Sequence, residues 1–194
     1  MGTTKAKKEK TMSFRLIANW GTCIATILLT GCAAMNANLN APVKAPLDGK
    51  RVVVFPFQDP YYKGRQIQGV GGPFATVFVT KLQASGVLAD FSNNTSFSPA
   101  APIELEKACK YAKDNNYDAF VTGIVTEWID GATQWSGTVD IAALSVHVYR
   151  STTCELAGSA SGRQNGQWFT FVDAPTTRFF GPLSEAIVAS LLDR

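Results

Sequence analysis

The chain has 194 residues, of which 46% are hydrophobic and 17% charged, so it is long enough for one domain with a sizeable buried core. The formal net charge of +3 is concentrated near the N-terminus, where residues 1–32 hold five of the 18 basic residues and one of the 15 acidic ones. The remaining 13 basic and 14 acidic residues give a net charge of −1, which excludes the basic surface typical of a nucleic-acid-binding protein.

The N-terminus has the organisation of a secretory signal. Basic residues precede an impure apolar run over residues 16–29, which is shorter than the roughly 20 apolar residues of a spanning helix. The run ends in Leu29-Thr30-Gly31-Cys32, followed by Ala33-Ala34, and resembles the lipobox of bacterial lipoproteins. The resemblance implies cleavage before Cys32 and its modification with diacylglycerol and an N-acyl chain such as palmitate. Because Ala33 stands where a retention signal has Asp, it also implies sorting to the outer membrane.

Two alternatives stay open in this region. The segment could be an ordinary secretory signal, or a short anchor helix, with a chance cysteine at position 32. Translation could also begin at Met12 rather than Met1, because the basic region is long for a signal.

Three segments follow from the composition of the chain. Residues 1–31 are predicted to be the signal peptide, 32–49 the lipidated cysteine and a flexible tether, and 50–194 a periplasmic domain. The domain begins with the apolar run Arg51 to Phe57, which is typical of a strand covered on both faces. A helix over residues 71–85 ending at Gly86, a short strand over 87–91 and a helix over 102–114 follow.

From residue 119 the pattern changes to consecutive strands. A strand over residues 119–128 places Phe120 and Trp128 on one face, and Asp130-Gly131 predicts a two-residue hairpin turn. In the next strand the apolar phase shifts near Ala142-Ala143, which predicts a β-bulge there. A strand over 156–161 and a helix over 182–192 complete the order β-α-β-α-β-β-β-α. This order predicts an α/β fold, a single-domain sandwich of a mixed β-sheet with helices packed on it.

Residues that commonly carry enzyme chemistry are sparse. His147 is the sole histidine and lies on a strand with no acidic or nucleophilic neighbour in sequence. Gly69-Val70-Gly71-Gly72 precedes a helix but lacks the ending of a phosphate-binding loop, so it predicts a tight helix entry. No cysteine and histidine spacing fits zinc, and the acidic residues are scattered: Asp59, Glu127, Asp130 and Asp140. We therefore expect no enzymatic activity, no cofactor and no metal.

Two sets of residues are candidate sites besides Cys32. Cys109 and Cys154 could form a disulfide, or Cys109 could be a buried free thiol on the apolar face of its helix. Aromatic residues are concentrated in loops, where they either cover the sheet or form a protein-contact patch. These residues are Tyr61, Tyr62, Trp168, Phe169 and Phe171, with Phe179 and Phe180 beside the last helix.

The segment from Glu127 to Gly137, EWIDGATQWSG, is distinctive. With the lipobox and the closing helix it resembles a family of bacterial lipoproteins of unknown function (domain of unknown function 4823), a resemblance that implies no catalytic residue. The element order also looks like that of four periplasmic domains, which is evidence for fold alone. They are those of the curli secretion channel, the Pel polysaccharide lipoprotein, the outer-membrane activator of a peptidoglycan synthase and the Tol-system propeller protein.

The resulting expectation is a non-enzymatic lipoprotein of the outer membrane that faces the periplasm. It is anchored in the membrane through Cys32 and binds another envelope protein or itself. The alternatives are a ring-forming accessory subunit of an envelope export or polysaccharide system, and an envelope hydrolase.

Overall fold

A mixed β-sheet of six strands forms the centre of the domain, in a computed structural model that describes residues 38–40, 42–131, 139–166 and 175–192. The strand order is β1-β8-β7-β6-β2-β5, with β5 and β6 parallel to β2 and the other pairs antiparallel. The sheet strands are β1 (Asn38–Leu39), β2 (Arg51–Val54), β5 (Leu88–Phe91), β6 (Ala119–Ile129), β7 (Ile141–Arg150) and β8 (Leu156–Asn165). A separate hairpin consists of β3 (Tyr61–Tyr62) and β4 (Arg65–Gln66).

Within the described ranges, three helices pack on the sheet, as the sequence pattern predicts for an α/β sandwich. They are α1 (Gly71–Ala84), α2 (Leu105–Asp114) and α3 (Phe180–Leu192), the last preceded by a 3₁₀ turn over Thr176–Phe179. Just beyond the end of α1, Gly86 has a φ of 83°, which is readily adopted only by glycine. The α/β fold with a mixed sheet is therefore confirmed, with helix and strand bounds a few residues from those predicted.

The strand β2 is covered on both faces, which explains its continuous apolar sequence. Val52 and Val54 belong to the larger core beneath α1 and α3, whereas Val53 and Phe55 belong to a smaller core beneath α2. In the larger core the rings of Phe74 on α1 and Phe180 on α3 stack with centroids 4.4 Å apart.

The connection between β6 and β7 differs from the prediction. Ile129 pairs with Ile141, so the strands are joined by residues 130–140 rather than by a turn of Asp130 and Gly131. A dipeptide with strong turn propensity is overridden here because pairing Ile129 with Ile141 brings Trp128 opposite Ala142, both of them buried. Residues 132–138 of this connection lie outside the described residues.

The β-bulge lies in β6 and not in β7, so its predicted position is wrong. Val125 pairs with Leu144 and Glu127 with Ala143, which makes Thr126 the extra residue. The β7–β8 ladder runs unbroken through Ala143. Because one extra residue reverses the side-chain alternation, Trp128 joins the larger core and does not share a face with Phe120.

The segment predicted to be a flexible tether is ordered along the sheet from residue 38, so that part of the prediction is wrong. The strand β1 pairs with β8, and Val43 forms a further bridge to Ser159. Ala45 and Leu47 are buried in the larger core, and the Ala45 amide donates to the carbonyl of Leu191 at the end of α3 (2.9 Å). The folded domain therefore begins before residue 50, where apolar side chains pack against α3.

Candidate functional site

The predicted aromatic residues Tyr61 and Tyr62 lie on a short projecting hairpin, residues 61–66, which we call the tyrosine hairpin. Its two central turn residues, Lys63 and Gly64, have φ angles of 50° and 77°, as in the tight turns that match the twist of paired strands. Tyr61 is 58% exposed and Tyr62 39% exposed. The Lys63 ammonium lies 5.1 Å from the centre of the Tyr62 ring, a cation–π contact.

The tyrosine hairpin is attached firmly at its base. Gln58 extends the sheet beside β6 through backbone hydrogen bonds to Gly123 (2.8 Å) and Val125 (3.0 Å). At the other end, the Gln66 side chain donates to the carbonyl of Ala100 (3.0 Å), and the Ile67 amide donates to the carbonyl of Pro60 (2.9 Å). The two tyrosines are therefore presented on a fixed support rather than on a free loop.

The glycine-rich entry to α1 is closed by the chain itself. The buried Asp59 carboxylate accepts hydrogen bonds from the amides of Gly69 (3.1 Å), Val70 (2.9 Å) and Gly71 (2.7 Å). These are the donors that a bound phosphate would use, so Asp59 occupies that position. A Cβ at Gly71 would overlap the carbonyl of Phe57, which explains the glycine. This geometry agrees with the prediction that the glycine-rich segment before α1 forms a tight helix entry.

The other predicted aromatic residues do not join Tyr61 and Tyr62 in the described part of the chain. Trp168, Phe169 and Phe171 lie outside the described residues. Phe179 and Phe180 are buried beneath the sheet and belong to the larger core, so for these two the sheet-covering interpretation holds.

Cys109 of α2 is joined to Cys154, which follows the turn after β7, by a disulfide with Cα atoms 5.8 Å apart. The bond ties α2 to the turn between β7 and β8 and lies beside the smaller core. Cys32, the predicted lipidation site, lies outside the described residues. Among the described helices, none combines the length and the hydropathy needed to cross a bilayer.

The acidic residues singled out from the sequence are engaged in separate contacts. Glu127 forms two hydrogen bonds with the Arg163 guanidinium (2.7 and 3.2 Å), and Asp140 pairs with Arg178 (2.9 Å). The Thr176 hydroxyl donates to Asp130 (2.8 Å). In the ranges that the structure describes, no three His, Cys, Asp or Glu residues are arranged to hold a metal ion.

A second surface was not predicted from the sequence. On β6, β7 and β8, one face of the sheet carries side chains that no described helix covers, and we call it the open sheet face: Ile124, Ser145, His147, Ser159 and Ser161. Ile124 is 41% exposed. The sequence signal was the alternation in β8 of serines with glycine and alanine, whose small side chains face α3 and the N-terminal segment.

His147 lies on the open sheet face with its ring 6.5 Å from that of Tyr149. Partial burial lowers its pKa below the usual 6.5, because desolvation disfavours the charged imidazolium. Its cross-strand neighbours are Thr122 and Ser159, which are uncharged. Neither neighbour is an acidic residue that could orient the imidazole as a general base.

No protein-family model matches the chain, and no curated protein matches it. Membership of the lipoprotein family of unknown function therefore stays a prediction. Among solved structures the fold is similar to PelC from Paraburkholderia phytofirmans, described as a dodecamer. The TM-score is 0.61 at 16% identity, over 82% of this chain and 99% of that one.

Two further structures resemble parts of the fold. The lipoprotein GNA1162 from Neisseria meningitidis has a TM-score of 0.48 at 15% identity, over 75% of this chain and 99% of that one. The C-terminal domain of LpoB from Salmonella enterica has a TM-score of 0.42 at 14% identity, over 62% and 84%. The predicted fold-level similarity to the Pel lipoprotein is confirmed.

Proposed function

We propose that this chain is a lipoprotein of the bacterial envelope, anchored through Cys32 in the outer membrane and facing the periplasm. Its α/β domain acts as a non-enzymatic module that binds another envelope protein. The lipobox-like segment supports the anchor. The open sheet face supports the binding role, and it is the observation that carries the proposal.

The open sheet face has an uncharged centre. Ser145 lies at its centre, paired with Ile124 on one side and Ser161 on the other. None of these three side chains carries a charge, so a protein partner that hydrogen-bonds the two serine hydroxyls can cover the centre without burying an ion. The charged Glu127–Arg163 pair stands at the margin, where partial exposure keeps its carboxylate and guanidinium hydrated.

The test is in-cell crosslinking of the tagged lipoprotein followed by mass spectrometry, with two matched variants. Ser145→Arg places a long cationic side chain at the centre of the open sheet face, and we expect it to abolish crosslinking to the main partner. Thr152→Arg makes the same kind of change at an exposed turn residue and should leave the partner in place. Equal recovery of the partner by both variants would contradict the proposal, provided that both melt at the wild-type temperature.

A ring of identical subunits is a second candidate, favoured by the similarity to the PelC dodecamer. In that case the partner on the open sheet face is a second copy of this chain. Size-exclusion chromatography with light scattering on the detergent-solubilised lipoprotein would give the mass of a defined oligomer, and Ser145→Arg would reduce it to a monomer. A wild-type monomer at all concentrations tested would rule out the ring.

A further inference from the structure

We propose that the tyrosine hairpin contacts the lipid bilayer and that the end of the sheet beside it is the membrane-facing end of the domain. The inference rests on the lipid anchor of the proposed function. It specifies which surface of the domain the anchor holds against the membrane, and it identifies the phospholipid interface as what that surface contacts.

The chain enters the domain at the end of the sheet that carries the tyrosine hairpin. Asn38 pairs with Arg163, Arg163 with Ala143, and Ala143 with Glu127, so these residues form one row across the sheet. The row lies near the end of β6, where Gln58 stands beside Ile124 and β3 packs against β6. The N-terminal entry and the tyrosine hairpin are therefore at the same end of the sheet, separated by about four strand spacings, or roughly 19 Å.

The connection between the anchor residue and the ordered part of the domain is short. Only five residues separate Cys32 from Asn38. Even fully extended, this connection reaches about 21 Å. Hydrogen bonds of the Asn40 amide and side chain to Ser161 (3.0 and 2.8 Å) hold the segment that follows in place, so no further slack is available.

The opposite end of the sheet is much farther away. The strand β7 has ten residues, so the turn at Thr152 lies about 30 Å from the entry of the chain. A lipidated Cys32 thus keeps the end that carries the tyrosine hairpin close to the bilayer, and it cannot bring the Thr152 turn there while the strands stand upright.

The tyrosine hairpin combines aromatic side chains with positive charge. Tyrosine has an apolar ring and a polar hydroxyl, a combination that favours the region of lipid headgroups. Lys63 and Arg65 add two positive charges, and the sequence from 60 to 89 contains no acidic residue. Asp59, the acidic residue just before it, is buried against three amides. The hairpin therefore carries a local net positive charge, which favours contact with an anionic lipid surface.

The arrangement of the two tyrosines favours a bilayer over a protein partner. Tyr61 and Tyr62 are consecutive residues of one strand, so their side chains point to opposite sides of the hairpin. A folded protein docking on one side would leave the other ring exposed, whereas a fluid interface entered end-on surrounds both rings.

The test uses the mature lipoprotein in vesicles of zwitterionic and anionic phospholipids. A photoreactive residue is introduced as Tyr61→p-benzoylphenylalanine or Tyr62→p-benzoylphenylalanine, and as Thr152→p-benzoylphenylalanine for the control. After irradiation, mass spectrometry identifies phospholipid adducts on the peptide that carries the probe. We expect adducts at positions 61 and 62 and none at 152.

A second variant tests the charges. Lys63→Ala combined with Arg65→Ala leaves the tyrosines and the anchor in place, and we expect the adduct yield at position 61 to fall by about fivefold for each charge removed. The loss should disappear in purely zwitterionic vesicles, where both proteins give the lower yield.

The outcomes separate this inference from the proposed function. A lipidated Cys32 with no adducts at 61 and 62, or with equal adducts at 152, overturns the membrane-facing end but leaves the anchor intact. Crosslinks from position 61 to a protein instead of lipid, in native membranes, overturn it in favour of a protein contact. A mature protein without lipid on Cys32 overturns both.

Discussion

The disulfide between Cys109 and Cys154 provides a quantitative test of how the domain is stabilised. It closes a loop with a sequence separation of 45, which contains the whole of β6 and β7. In the chain-entropy model, opening a loop of this length frees the unfolded chain and lowers the free energy of unfolding by about 4 kcal/mol at 25 °C. The native contacts of α2 with the sheet are expected to persist, because Phe55 and Phe120 of the smaller core do not depend on the bond.

The assay is urea unfolding of the oxidised protein, of the reduced protein and of the variant Cys109→Ala/Cys154→Ala. The reduced protein keeps the volume of both side chains, so it isolates the loss of the crosslink from the loss of packing. Cys154 has a φ of 61°, which glycine adopts at less cost than cysteine or alanine. We therefore expect Cys109→Ala/Cys154→Gly to recover about 1 kcal/mol relative to the double alanine variant. A loss below about 1 kcal/mol in the reduced protein would refute the loop-entropy reasoning.

Three further predictions concern single residues. Gly71→Ala should lower the free energy of unfolding by about 3 kcal/mol or more, because the added Cβ would overlap the Phe57 carbonyl. Gly72→Ala, where the added Cβ meets open space, should not lower it. Similar urea midpoints for the two variants would contradict this prediction. Asp59→Ala should cost about 2–3 kcal/mol by leaving three amides without their acceptor, and a thermal melt unchanged from wild type would argue against that role. Burial lowers the pKa of His147 in the folded protein, so the unfolded state takes up the proton more readily and the free energy of unfolding should fall as the pH drops below about 6.5. His147→Gln should flatten that part of the stability profile. A variant profile identical to that of the wild type would exclude the effect.

The helices and the central strand could be predicted because local patterns coincide with the final environment. The valines of β2 are buried on both faces, and Gly86 ends α1 with the positive φ that its position predicted. In such elements the sequence period and the tertiary packing favour the same structure, so the local signal is sufficient.

The errors fall where tertiary contacts override local signals. Thr126 has no feature that marks it as a bulged residue, and its effect depends on how β7 pairs with β6. Asn38 and Leu39 are part of a polar, proline-containing stretch, yet they form a strand because β8 offers a free edge beside them. The open sheet face was missed for a similar reason, since the alternation of serine with glycine in β8 does not reveal which side a helix will cover.

The two proposals together define how the domain stands on the membrane. If the tyrosine hairpin rests on the lipid surface, the strands rise from the bilayer and the open sheet face stands perpendicular to the membrane plane. A partner that covers Ser145 must then approach sideways, from within the same layer of the envelope. Partners held at the same membrane satisfy this geometry, and a second copy anchored by its own Cys32 is the simplest of them. The crosslinked partner lost in Ser145→Arg should therefore itself be membrane-bound, and a partner that floats free of the membrane would show that the domain does not stand in this way.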